Sequence, residues 1–185
     1  MRDMQRRDLL ALTAGGLATV SGCLDDASDP SDDDNDDVDD SPPFEIVTVD
    51  APGSEAGTVS IPQEGQVMLV NFARTLCPTS EGLLGRIAEA NADLEDGDVE
   101  VITVTDGSSG PQPTPSELAD WWVEHGGNWT VGIDERGLLN DYYNVRGCPV
   151  LVAIDGDGEE HWRNEGGTGA YNMVSGVETA LDAQN

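Results

Sequence analysis

The chain has 185 residues, enough for one ordinary domain with attachments. Its 37 acidic residues face 8 basic ones, all arginine, for a net charge of −29; with so few cations, neither nucleic acid nor an anionic membrane surface is a charge-matched partner. Three cysteines, Cys23, Cys77 and Cys148, form no Cys-x-x-Cys pair, which excludes a disulfide-stapled mini-fold and a zinc ribbon.

Residues 1–22 read as an export signal. Arg6-Arg7-Asp8-Leu9-Leu10 resembles the twin-arginine motif, and a modest apolar stretch follows over 9–20. That stretch is far short of the ~20 apolar residues a membrane span needs, and it contains Gly15 and Gly16. It fits the apolar region of a signal peptide, the rival being an amphipathic helix of the folded domain. Val20-Ser21-Gly22-Cys23 resembles a lipobox, in which Cys23 becomes the lipidated first residue. Residues 23–43 then form a linker, with ten aspartates between Leu24 and Ser41 and almost nothing apolar. Such a segment buries too little to offset its ordering entropy, so it is expected to be a disordered spacer extended by self-repulsion. A calcium-binding tract is the alternative, but no Asp-x-Asp-x-Asp-Gly register with a distal Glu is present. Pro42-Pro43 closes the linker.

From residue 44 onward strand and helix patterns alternate. Residues 44–49 and 58–61 read as strands, and 66–73 contains a near-continuous apolar run typical of a strand covered on both faces. Leu83, Leu84, Ile87, Ala88, Ala90 and Leu94 recur at helical spacing over 79–94. A strand at 99–105 and a Gly/Ser/Pro-rich loop at 106–113 follow. Thr114-Pro115-Ser116-Glu117 carries an N-cap, a proline at the first helical position and a capping box, opening a helix that runs to about His125. Strands at 129–133 and 150–154, a short helix at 138–143, a hairpin turn at 155–158 into 159–164, and a closing helix at 170–181 complete the pattern. Helix-capping is the default role for His125, and a surface position is expected for His161. Trp121, Trp122, Trp129 and Trp162 read as packing residues. The expected class is a three-layer α/β domain, 44–185, with a mixed sheet. This domain alone holds 25 acids and 5 arginines. In molar salt the Debye length falls to about 3 Å and the self-repulsion of such a surface nearly vanishes. The composition resembles that of proteins from extremely halophilic archaea.

Val70-Asn71-Phe72-Ala73-Arg74-Thr75-Leu76-Cys77-Pro78 resembles the strand–loop–helix active site of TlpA-type thioredoxins. Tyr143-Asn144-Val145-Arg146-Gly147-Cys148-Pro149-Val150 resembles that family's cis-proline loop, and order and spacing match over about residues 44–182. The resemblance implies a thioredoxin-like fold and thiol–disulfide oxidoreductase chemistry on protein thiols or disulfides, by sulfur alone, with no cofactor or metal. The twin-arginine and lipobox resemblances imply a place on the extracellular face of the cell membrane, held there only by the lipid on Cys23, and a monomer is expected. Cys77 matches the reactive cysteine at the start of the first long helix, where the helix's positive end favours the thiolate. Pro149 matches the cis-proline, and with Gly147 and Pro78 it would shape the surface that receives substrate. Arg74 and Arg146 would supply a local positive field, unless they are merely solvated.

The chain departs from the family in two places. The second cysteine of the usual dithiol is Ser80, and the tryptophan before the first is Leu76. A lone thiol cannot resolve its own mixed disulfide within the motif. Cys148, directly before the expected cis-proline, is the candidate partner, since in this fold that position faces the active-site cysteine. Plain packing at Cys148, or a buried inert Cys77, are the competing readings. Cys-Pro-Thr at 77–79 also resembles peroxiredoxins, although the threonine they place three residues earlier is Arg74 here. Copper chaperones share the fold, but Glu81 stands where their second cysteine falls and Gly147 near their histidine. A degenerate, non-catalytic member is the remaining alternative.

Overall fold

The structure is a computed structural model and describes residues 41–94, 98–107 and 110–184. The export signal, Cys23 and the acidic run after it lie outside these residues. In chain order the elements are β1 (Phe44–Thr48), β2 (Gly57–Ile61), β3 (Val67–Ala73), α1 (Pro78–Leu94), β4 (Val99–Asp106) and α2 (Pro115–Glu124), followed by β5 (Thr130–Asp134), α3 (Leu138–Tyr142), β6 (Val150–Ile154), β7 (Glu160–Glu165) and α4 (Ala170–Gln184). Every element expected from periodicity is present, with its ends displaced by at most 3 residues.

All of β3 is buried because it lies in mid-sheet with both faces covered. Strand order is β2-β1-β5-β4-β3-β6-β7. β3 pairs with β4 in parallel and with β6 antiparallel, while β1 meets β5 antiparallel, so the sheet is mixed. The period-2 alternation of β3 divides the core in two. Val67, Leu69 and Ala73 face Leu84 and Ile87 of α1, Trp122 of α2 and Met173 and Val177 of α4. Met68, Val70 and Phe72 face Phe44, Leu139, Tyr143 and Val145 on the other side. The outcome is a three-layer α/β domain with a central mixed sheet, as the alternation of elements implies.

The capping box of α2 forms as read. Glu117 N donates to Thr114 Oγ1 at 3.3 Å, and Thr114 N donates to the Glu117 carboxylate at 2.8 Å. His125 is the C-cap of α2, and its backbone N–H donates to the Trp121 carbonyl at 3.1 Å. Trp121, Trp122 and Trp129 are buried, and Trp162 packs half-buried against the same core. The indole N–H of Trp122 donates to the Pro52 carbonyl at 3.0 Å and that of Trp129 to Thr103 Oγ1 at 3.0 Å.

His161 is not the surface residue expected. Its side chain is 16% exposed, and Nε2 lies 2.7 Å from the Asp155 carboxylate. The β6–β7 register shifts between Ala153 and Ile154, which pair with Trp162 and Glu160, so His161 is skipped by the ladder. Its ring folds back onto Asp155, whose other carboxylate oxygen accepts the backbone N–H groups of Asp157 and Glu159 at 3.0 and 2.9 Å.

Candidate redox site

Strand β3 ends at Ala73, and the next four residues form a turn in which Cys77 N donates to the Arg74 carbonyl at 3.1 Å. Pro78 opens α1, where its fixed φ suits the first helical position and its missing N–H costs nothing. The Cys77 carbonyl accepts from Glu81 N at 3.1 Å, closing the first helical turn. Ser80 is fully buried, and its Oγ accepts the Arg74 N–H at 3.3 Å. The residue that stands where the family has its second cysteine therefore ties down the loop carrying the first.

On the neighbouring strand, Cys148 and Pro149 lead into β6. Their peptide bond is cis, and the Pro149 carbonyl accepts from Gly166 N at 2.8 Å. Phe72 of β3 pairs with Val150 of β6, so the loop leaving one strand and the loop entering the other lie side by side. That register brings Cys77 and Cys148, 71 residues apart, to a Cα–Cα distance of 6.6 Å, and the structure joins them in a disulfide. The separation lies within the ~4.4–6.8 Å that a disulfide spans. Cys77 Sγ also lies 3.3 Å from the Cys148 carbonyl oxygen, within reach of an S–H donor after reduction.

The other residues singled out from sequence lie on the two loops that carry these cysteines or at the start of α1. Pro78 and Arg146 are exposed, Arg74 and Gly147 half-buried, and Pro149 buried. Arg146 Nε donates to Asn144 Oδ1 at 2.9 Å. Leu76, in the place of the family's tryptophan, is 79% exposed. A small cavity of about 50 Å³ opens beside it, walled by Arg74, Thr75, Leu76, Asp106, Pro111 and Pro113.

Sequence reasoning missed two buried acids. Asp106 and Asp134 end the parallel strands β4 and β5 directly opposite each other. Asn140 Nδ2 donates to the Asp106 carboxylate, while the backbone N–H groups of Leu138 and Asn140 donate to Asp134 at 3.1 and 3.0 Å. Burial pushes the Asp134 carboxyl above its ordinary value, the Asp106 charge adds to the rise, and the N–H donors only partly oppose it. The available signal was an aspartate closing each of two successive apolar strand runs. Glu81 was noted only as a missing cysteine, yet its carboxylate turns toward His125 Nε2 at 3.9 Å.

A disulfide at the start of a long helix is an arrangement open to thiol–disulfide exchange, because a helix's positive end stabilises a thiolate placed there. The architecture that holds it is the thioredoxin-like fold. No family model and no curated protein sequence matches the chain. Among solved structures, it is similar to StoA from Bacillus subtilis at 20% identity, covering 71% of this chain and 93% of that one with a TM-score of 0.61. It is also similar to the exposed lipoprotein thioredoxin Etrx1 of Streptococcus pneumoniae, at 21% identity over 73% of this chain and 97% of that one, TM-score 0.61. A putative thiol:disulfide interchange protein DsbE from Chlorobium tepidum matches at 19% identity over 78% and 94% of the two chains, TM-score 0.60.

Proposed function

We propose that this chain is a thiol–disulfide oxidoreductase, exported, lipid-anchored through Cys23 on the extracellular face of the cell membrane, and adapted to strong salt. The observation that carries the catalytic part is the Cys77–Cys148 disulfide, set between the start of α1 and the cis-Pro149 loop of a thioredoxin-like domain. Two solved neighbours support it through what they are called, a thiol:disulfide interchange protein and an exposed lipoprotein thioredoxin. The Arg6-Arg7 pair and the Val20-Ser21-Gly22-Cys23 sequence support export and anchoring.

In the reduced protein, the Cys77 thiolate attacks one sulfur of a substrate disulfide. A Cys77–substrate bond forms, and the other substrate sulfur leaves as a thiolate. Cys148, deprotonated, then attacks Cys77 Sγ, forms the intramolecular disulfide and releases the second substrate thiolate. The protein loses two electrons and the substrate gains them, with protons balanced through solvent. Running backwards, the same steps oxidise a substrate dithiol. Gly147 and Pro149 line the approach to the sulfurs, Pro78 fixes the helix start, and Arg74 and Arg146 favour the thiolate electrostatically.

Trapping tests this directly. The Cys148→Ser variant should accumulate mixed disulfides with partner proteins, because its resolving thiol is gone, and Cys77→Ser should trap none. Equal trapping by both variants, or none by either while dithiothreitol leaves the wild-type disulfide closed, overturns the reading. Rapid oxidation of Cys77 to sulfenic acid by peroxide points instead to a peroxidase, and stoichiometric anaerobic Cu(I) binding to a metal carrier.

A further inference from the structure

Four stretches of chain meet around the disulfide. Residues 74–80 and 144–150 carry the two cysteines. Residues 110–114 join them through the small cavity that Arg74, Thr75 and Leu76 share with Gly110, Pro111 and Pro113. Residues 166–169 close the other side: Gly166 N donates to the Pro149 carbonyl, and Gly167 and Thr168 share a groove with Thr79. None of these stretches contains an aspartate or glutamate, in a domain that carries 25 of them.

The acids that adjoin the stretches are buried or turned to partners of their own. Asp106 is 7% exposed and accepts from Asn140. The Glu81 carboxylate points at His125, that of Glu117 accepts from Thr114, and that of Glu165 pairs with Arg163 at 3.3 Å. Arg86 pairs with Glu89 and Arg163 with Glu160 and Glu165, whereas among the described residues Arg74, Arg136 and Arg146 make no ion pair. Two of these three stand on the loops that carry the cysteines: Arg74, which shares its cavity with the buried Asp106, and Arg146, just before Gly147 and Cys148. Leu76, on the first of these loops, stands 79% exposed.

We infer that this end of the domain is a docking face for an acidic polypeptide segment that presents the cysteine to be exchanged. The inference rests on the oxidoreductase reading and names its substrate class. At molar salt the field of the whole domain is cut off within about 3 Å, so recognition falls to groups in contact. Four stretches without a carboxylate of their own lessen like-charge contacts with an acidic partner, and Arg74 and Arg146 offer bidentate hydrogen bonds to its carboxylates. A basic partner would be served by the carboxylate-rich surface found elsewhere on the domain, not by this window.

The test uses short peptides identical except that the positions flanking a central serine are all Asp, all Asn or all Lys. Serine replaces cysteine so that binding is read without covalent chemistry. Calorimetric titration of the oxidised protein in molar KCl should show the Asp peptide binding about tenfold more tightly than the Asn peptide, with Lys weakest. The preference should vanish in the Arg74→Gln/Arg146→Gln double variant and persist in Arg136→Gln, whose site lies beside Glu45 and Glu135. Equal affinities, a Lys preference, no binding of any peptide, or a preference that survives the double variant overturns the inference. Cysteine versions of the peptides are then assayed for exchange. Failure of all of them to exchange, with the Asp preference intact, removes the oxidoreductase reading and leaves the docking face standing.

Discussion

At the scale of single residues, Asp134 shows how an acid can be tolerated against its own electrostatics. Burial raises its pKa above 3.8, the Asp106 charge adds to that, and three backbone N–H donors hold the carboxylate in place. Its folded value is above its unfolded one, so between the two the native state binds more protons than the unfolded state. Stability contributed by this group therefore falls as pH rises through that window. Asp134→Asn removes the titration and keeps an acceptor for only one of the Leu138 and Asn140 N–H groups, a loss that does not vary with pH. Its stability relative to wild type should improve as pH climbs above about 4, read by denaturant titration at several pH values. An unchanged difference across that range would show that Asp134 does not titrate differently on folding.

At the scale of elements, α4 is held against the late hairpin by a close approach that only glycine permits. A Cβ at Gly176 would sit on the inner atoms of the Trp162 ring, not on a flexible tip. Helix propensity alone predicts that Gly176→Ala stabilises α4 by up to ~1 kcal/mol. The clash outweighs that, because the indole is wedged between β7 and the helix and overpacking costs about 1–3 kcal/mol. Gly176→Ala should lower the melting temperature, and pairing it with Trp162→Phe, which trims the ring, should recover part of the loss. A higher melting temperature for the single variant would mean the helix shifts at little cost.

At the scale of the whole molecule, charge and attachment dominate. The domain's 25 acids against 5 arginines give a surface that repels itself unless salt screens it. Moving from molar salt to roughly 0.1 M lengthens screening from about 3 to about 10 Å, and the melting temperature should drop steeply over that interval. A flat melting temperature would contradict adaptation to strong salt. No helix among the described residues is long and apolar enough to cross a membrane. On the proposed lipid anchor at Cys23, Cys23→Ala should release the protein into the medium or leave it unprocessed. Undiminished membrane association of that variant would rule out the lipid anchor.

The amino-acid sequence by itself determined the elements and their order. Alternation in 44–49, the apolar run of β3, the helical spacing of Leu83, Leu84 and Ile87, and the Thr114–Glu117 capping box are all written within a few residues of where they act. The fold class followed from that succession. The resemblance at residues 70–78 and 143–150 pointed to Cys77 and Cys148, but their meeting depends on β3 and β6 being neighbours with Phe72 opposite Val150. No local pattern encodes that pairing, because strand order arises from how the faces of all the elements share one core. The same holds for Asp106 and Asp134, placed side by side by the β4–β5 register, and for His161, turned inward where β7 slips past β6. The proposed docking face belongs with them: its four stretches lie far apart in the chain, and only tertiary packing gathers them around one disulfide.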